Sequence, residues 1–283
     1  MNHLNKVILF VSLLFALPYF VSAHQPRVVS ENEILVSDPQ ISKAYYGKLE
    51  GDPHIYSISS DKEFELYVNI LVPDISGQKK DVSAVVLTPG KEDVPIALLE
   101  GGEFGWTRFF EEYGQDWYWQ GPEYKATVPA GTYEIRVWSS NNDSKYSLAV
   151  GDIESFDFKE SMNALYLVPR IKRDFFNESP ANFIFSPIGA GYVFTMFVFA
   201  FIFGILYRLI ALKLKKENVL ARPRNIGKGD RLLRAFFGIA LLALAITTTW
   251  NPFVLFFSGF CFFEAFASWC AFYQAIGRNT CPI

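Results

Sequence analysis

Hydrophobic and polar positions divide this chain into distinct regimes. Residues 183–207 contain no Asp, Glu, Lys, Arg or His, and a helix of that length, rising about 1.5 Å per residue, crosses a hydrocarbon core of about 30 Å. Two further apolar runs, 235–250 and 252–276, are separated by Asn251-Pro252 and predict two helices joined by a tight reversal. Before residue 157 the pattern changes to short alternating runs bounded by Gly, Pro, Asn and Asp, at 55–58, 63–72, 82–87, 96–99, 124–128, 133–138 and 146–150. Close-spaced runs with no helical period predict an all-β sandwich. Within 133–137 the alternation turns Tyr133, Ile135 and Val137 inward and leaves Glu134 and Arg136 on the opposite face.

The first residues have a third character. Lys6, an apolar run over 7–17 and Val21-Ser22-Ala23 before His24 outline a secretory signal peptide. An uncleaved anchor is the competing reading, although the run is short and broken by Pro18. Either way His24 onward lies outside. The expected order is a signal peptide (1–23), an extracytoplasmic β-sandwich (24–156), a juxtamembrane stalk (157–182), a first membrane helix (183–207), a basic connector (208–234), two more membrane helices (235–250 and 252–276) and a short tail (277–283).

Charge sets the sidedness. The net charge of −3 averages an acidic outer half with a basic stretch in which Arg208, Lys213, Lys215, Lys216, Arg222, Arg224, Lys228, Arg231 and Arg234 face only Glu217 and Asp230. Basic residues crowded beside a span mark the cytoplasmic side. The expectation is a multi-pass protein of the cell membrane, its N-terminal domain outside and its C-terminus cytoplasmic. Nucleic acid is excluded as a partner, because the basic cluster abuts a span and carries no recognition-helix or zinc pattern.

Candidate chemistry is sparse. Residues 104–124 interleave Trp106, Trp117 and Trp119 with Glu111 and Asp116. Flat rings and carboxylates together suit sugar stacking or a hard cation, although aromatics in a domain of this size more often pack its core. Glu111 and Glu112 are adjacent and would face opposite sides of a strand, which argues against a glycosidase. His3, His24 and His54 are too scattered for a metal cluster, and no Gly-x-Ser-x-Gly or His-Glu-x-x-His motif occurs. The sequence therefore leans away from an enzyme. Gly227 and Gly229 lack the full phosphate-loop spacing, so they read as a turn before a helix that Asp230 would cap. Asn142-Asp143-Ser144 and Asn177-Glu178-Ser179 fit the short glycosylation pattern. Glu264 lies at membrane depth, where an acid is either neutral and hydrogen-bonded within the hairpin or marks a polar path. Cys261, Cys270 and Cys281 all fall near the end of the chain, so the outer half has no disulfide. Small residues on the last two runs, Gly238 and Gly259 among them, would let the helices approach closely or pair with a second copy.

Two stretches resemble known families. Val128-Pro129-Ala130-Gly131-Thr132-Tyr133-Glu134-Ile135-Arg136-Val137 and Lys145-Tyr146-Ser147-Leu148-Ala149-Val150-Gly151 resemble the last two strands of bacterial pre-peptidase C-terminal domains. The resemblance implies an extracytoplasmic jelly-roll used for accessory binding, with calcium as a candidate ion that no residue here can be assigned to hold. Asn225, Gly227, Asp230, Arg231, Arg234 and Gly238, followed by Cys270, Tyr273, Gly277 and Asn279-Thr280-Cys281, resemble the YgaP-like transmembrane domain. Some relatives of that two-span family carry a fused sulfurtransferase, which is missing from this sequence. The function expected is a non-enzymatic membrane protein presenting a sandwich that binds a ligand, glycan or envelope protein, as accessory or sensor. The alternative is a cysteine-dependent redox or sulfur-relay protein using Cys270 and Cys281.

Overall fold

The computed structural model describes residues 24–91, 94–214 and 224–281. The segment expected to be a signal peptide (1–23) and Lys215, Lys216, Glu217 and Arg222 of the connector lie outside the described residues. Eleven strands come first: β1 (Gln25–Val28), β2 (Glu33–Val36), β3 (Lys43–Lys48), β4 (His54–Ser60), β5 (Phe64–Pro73), β6 (Ser83–Leu87), β7 (Ala97–Leu99), β8 (Thr107–Glu111), β9 (Asp116–Val128), β10 (Gly131–Trp138) and β11 (Lys145–Val150). They form sheet A, in the order β1-β3-β11-β5-β9-β8, and sheet B, in the order β2-β4-β10-β6-β7. The two short N-terminal strands pair in parallel with β3 and β4.

Alternation along each strand builds one core between the sheets. Leu66, Val68 and Ile70 of β5 pack against a cluster that includes Tyr56 and Ile58 of β4 and Ile135 and Val137 of β10. Each large apolar side chain buried this way contributes about 1.5–3 kcal/mol. Tyr133, Ile135 and Val137 face inward as their spacing predicts. The expected strand over 124–128 is the second half of the much longer β9, paired along β5 with a register shift between Asn69 and Leu71.

Residues 157–182 are not an open stalk. Asp157 accepts a hydrogen bond from the Glu160 amide and starts helix α1 (Phe158–Asp174). Ile171 of this helix, with Phe175 and Phe176 after it, buries against Tyr118 on the outer face of sheet A. An isolated stalk would leave those rings in water. Lys145 of β11 donates from Nζ to the carbonyls of Asp174 and Phe175, at 2.8 and 2.9 Å, and so satisfies the open end of the helix. A 3-10 turn, Pro180–Phe185, then leads to α2 (Pro187–Leu214).

Among the described residues, α2 is the one helix both long and apolar enough to cross a membrane. It begins later than the apolar run at 183, because Ser186 caps the turn and its side chain accepts from the Gly189 amide. The second apolar run is α3 (Lys228–Thr247), whose first turns are charged. The third run is not one helix. It divides into α4 (Pro252–Ala267) and α5 (Ala271–Ile276), with Ser268 left-handed at φ 53° between them. Asn251 caps α4, accepting from the amides of Phe253 and Val254. Contacts pair residue 234 with 264 and 238 with 258, so α3 and α4 run antiparallel. Phe199, Phe203, Phe236, Phe237, Phe257 and Phe266 point outward from α2, α3 and α4 and stay exposed. An apolar surface spread round several helices has no counterpart on a typical water-soluble monomer.

Candidate functional site

Two polar regions stand out, one on the β8–β9 hairpin and one where α3 starts and α4 ends. On β9 the strand period of two separates the candidates read from the sequence. Asp116 and Tyr118 face α1, whereas Trp117 and Trp119 face the other way. Trp117 is 43% exposed. The Arg108 guanidinium stacks 4.0 Å from its ring centroid, and the Phe110 ring is 4.8 Å away. Trp119 donates from Nε1 to Asp74 at 3.0 Å and carries the Lys80 ammonium over its ring at 3.8 Å. Trp106 is a packing residue: it joins the core, donates to the Gly101 carbonyl at 2.8 Å and fills the space left by Gly121, where a Cβ would come within 2.6 Å of the indole.

The two carboxylates do not accompany these rings. Glu111 folds back on the hairpin turn and accepts from the amides of Tyr113 and Gly114, at 2.7 and 2.6 Å. Asp116 accepts from Lys172 Nζ at 2.7 Å, with both side chains almost fully buried. The stalk reading puts Lys172, with Arg170 and Arg173, near the outer headgroups; the packed helix instead buries it against Asp116. Among the described residues no group of three or more His, Cys, Asp or Glu is placed to hold a metal ion, so calcium has no assigned ligands.

The second region joins the residues that begin and end the second resemblance. Glu264 is ion-paired: Arg234 Nε lies 3.0 Å from its Oε2, with the side chains 15% and 11% exposed. Arg234 also contacts the Cys270 side chain and lies over the Tyr273 ring, with Arg278 over the same ring. Asn225 explains the break in the third run. Its Oδ1 accepts from the Cys270 amide at 2.7 Å and its Nδ2 donates to the Cys270 carbonyl at 2.9 Å. That pair of bonds mimics a strand and ends the helix. Asp230 is not the cap of α3, a position held by Gly227. It instead accepts from the Thr280 hydroxyl, and as an anion in the first turn it still suits the helix dipole. The Gly227 amide donates to Thr280 Oγ1 at 3.0 Å, and a Cβ there would sit 2.2 Å from the Thr280 carbonyl oxygen. Arg231 donates to the Ala265 carbonyl at 2.9 Å. Cys270 is buried, while Cys261 and Cys281 are half-buried.

A two-sheet β domain attached to helices with apolar outer faces is the plan of a membrane protein. Comparison with known families agrees: residues 222–283 match the family described as inner membrane protein YgaP-like, transmembrane domain. The N-terminal part is matched by the pre-peptidase C-terminal domain of a collagenase from Bacillus anthracis. That match has 9% identity and a TM-score of 0.27, and covers 45% of this chain and 95% of the other. The search of curated proteins finds no match.

Proposed function

We propose that this chain is a multi-pass protein of the cell membrane whose sandwich lies outside and acts as a non-enzymatic binding or sensing module. In this reading α2, α3 and α4 span the bilayer, and the ends near Arg208, Arg231 and Cys281 face the cytoplasm. The observation that carries it is the junction between domain and helices. Trp250, between α3 and α4, is buried against Phe183 and donates from Nε1 to the Pro180 carbonyl at 3.1 Å. Ala164 and Val168 of α1 complete the cluster, and Tyr113 from the β8–β9 turn packs on it. The indole thus serves as a keystone between the two halves. A ligand taken up at Trp117 and Arg108 acts on the same hairpin whose turn rests on the membrane helices.

A thiol probe unable to cross lipid tests the arrangement in intact cells. Ser59→Cys, at an exposed site on β4, should be labelled, and Cys281 should be labelled only after permeabilisation. Labelling of both from outside would overturn the topology. The binding half is tested by titrating soluble glycans, calcium and purified envelope proteins onto the detergent-solubilised chain. Binding to at least one should be lost in Trp117→Ala, and no binding by wild type to any of them would remove this role. The contact of Arg234 with Cys270 favours, as a second reading, thiol chemistry at the inner end. Unchanged thiol reactivity of Cys270 in Arg234→Met would dispose of it.

A further inference from the structure

Between sheet A and α1 lies a group of side chains that neither the membrane helices nor the Trp117 surface uses. Lys172 Nζ is 2.7 Å from Asp116 Oδ1, and the side chains are 1% and 4% exposed. Taking two charges so completely out of water costs several kcal/mol per ion. Glu111 stands directly across the β8–β9 ladder from Asp116, where two like charges repel. Both carboxylates crowd the same point: a Cβ on Gly114 would lie 2.6 Å from Asp116 Oδ2 and 3.1 Å from Glu111 Oε2. Burial raises the pKa of Glu111, and it pushes that of Asp116 up to about 6 against the opposing pull of Lys172. Tyr46, Tyr113, Val168 and Ile171 line, with the two carboxyl groups, a cavity of about 30 Å³.

We propose that Lys172 and Asp116 become joined by an intramolecular amide bond, with Glu111 relaying the protons. The Lys172 ammonium gives up a proton to the carboxyl pair, so that a free amine faces a protonated Asp116. Nζ attacks Cγ. The Cγ–Oδ bond then breaks, and the departing oxygen leaves as water, taking a second proton that passes from Nζ through Glu111. One N–C bond replaces one C–O bond, an ammonium and a carboxylate become an amide and one water, and no atom is oxidised or reduced. Holding the two groups together supplies an effective concentration of about 10⁵ M or more. The bond would tie β9 to the helix that leads to the membrane, in a chain that contains no cysteine from His24 to Phe260.

Mass spectrometry of the purified full chain reads this directly. The expected result is an intact mass one water below that of the processed sequence, with a branched peptide linking the Asp116 and Lys172 segments after digestion. Lys172→Arg and Asp116→Ala should each have full mass. Glu111→Gln should also have full mass while circular dichroism shows the sandwich still folded; a cross-link retained in that variant would overturn the relay. Recovery of both wild-type segments only as linear peptides would overturn the bond itself, and that reading needs no variant to fold.

Discussion

His54 shows how one residue takes its meaning from its surroundings. Sequence alone leaves it an isolated imidazole. In the fold it is buried, and its Nδ1 lies 2.6 Å from the Tyr146 hydroxyl, which is in turn 2.7 Å from that of Tyr56. The pair of tyrosines belongs to the sandwich core, so His54 is a satisfied core residue. Burial lowers its pKa, with Glu50 opposing. A base whose pKa is depressed on folding contributes stability above its unfolded value and loses it as pH falls through the folded one. Thermal unfolding of the β-sandwich should therefore move to lower temperature as pH drops below about 6.5. His54→Gln should flatten that dependence, and an unchanged slope would show that other groups set it. Glu264 gives a similar lesson. Its place in an apolar run was legible, but its partner Arg234 became evident only once two antiparallel helices placed them 3.0 Å apart.

At the scale of elements, small residues decide where helices touch. Gly238 and Gly259 were both legible as contact points, but they serve different neighbours. A Cβ on Gly238 would meet the Phe262 ring of α4 at 3.1 Å, whereas one on Gly259 would meet Ala200 of α2 at 3.0 Å. Gly204, which the sequence did not single out, is the tighter contact, since a Cβ there would lie 2.3 Å from the Phe263 ring. Gly204→Ala should cost about 1–3 kcal/mol through overpacking. Gly191→Ala, where nothing lies within 4 Å, should instead stabilise by about 0.5–1 kcal/mol. Thermal unfolding in detergent separates the two, and equal effects would mean that α2 does not pack on α4 as described. The strands were legible wherever alternation was strong, as in β5 and β10. β8 and the first half of β9 were not, because there aromatic residues occupy both faces, one of which packs on α1.

For the whole molecule, the expected consequence of the Trp250 junction is mechanical coupling. Trp250→Ala removes a buried ring and a hydrogen bond to Pro180, a loss of about 3–5 kcal/mol. Amide exchange over residues 158–185 should speed up while the cores of β5 and β10 stay protected. Unchanged exchange in that segment would mean that the two halves are independent. The sequence by itself determined the division into an all-β part and an apolar helical part. Those properties follow from local periodicity and composition, which each segment carries alone. Only the tertiary structure decided that Phe158–Asp174 is a packed helix, that the last apolar run breaks at Ser268, and that Asp116 belongs with Lys172 rather than with the tryptophans. Those outcomes depend on groups far apart in the chain, Asn225 on Cys270 and β9 on α1, whose meeting no local pattern encodes.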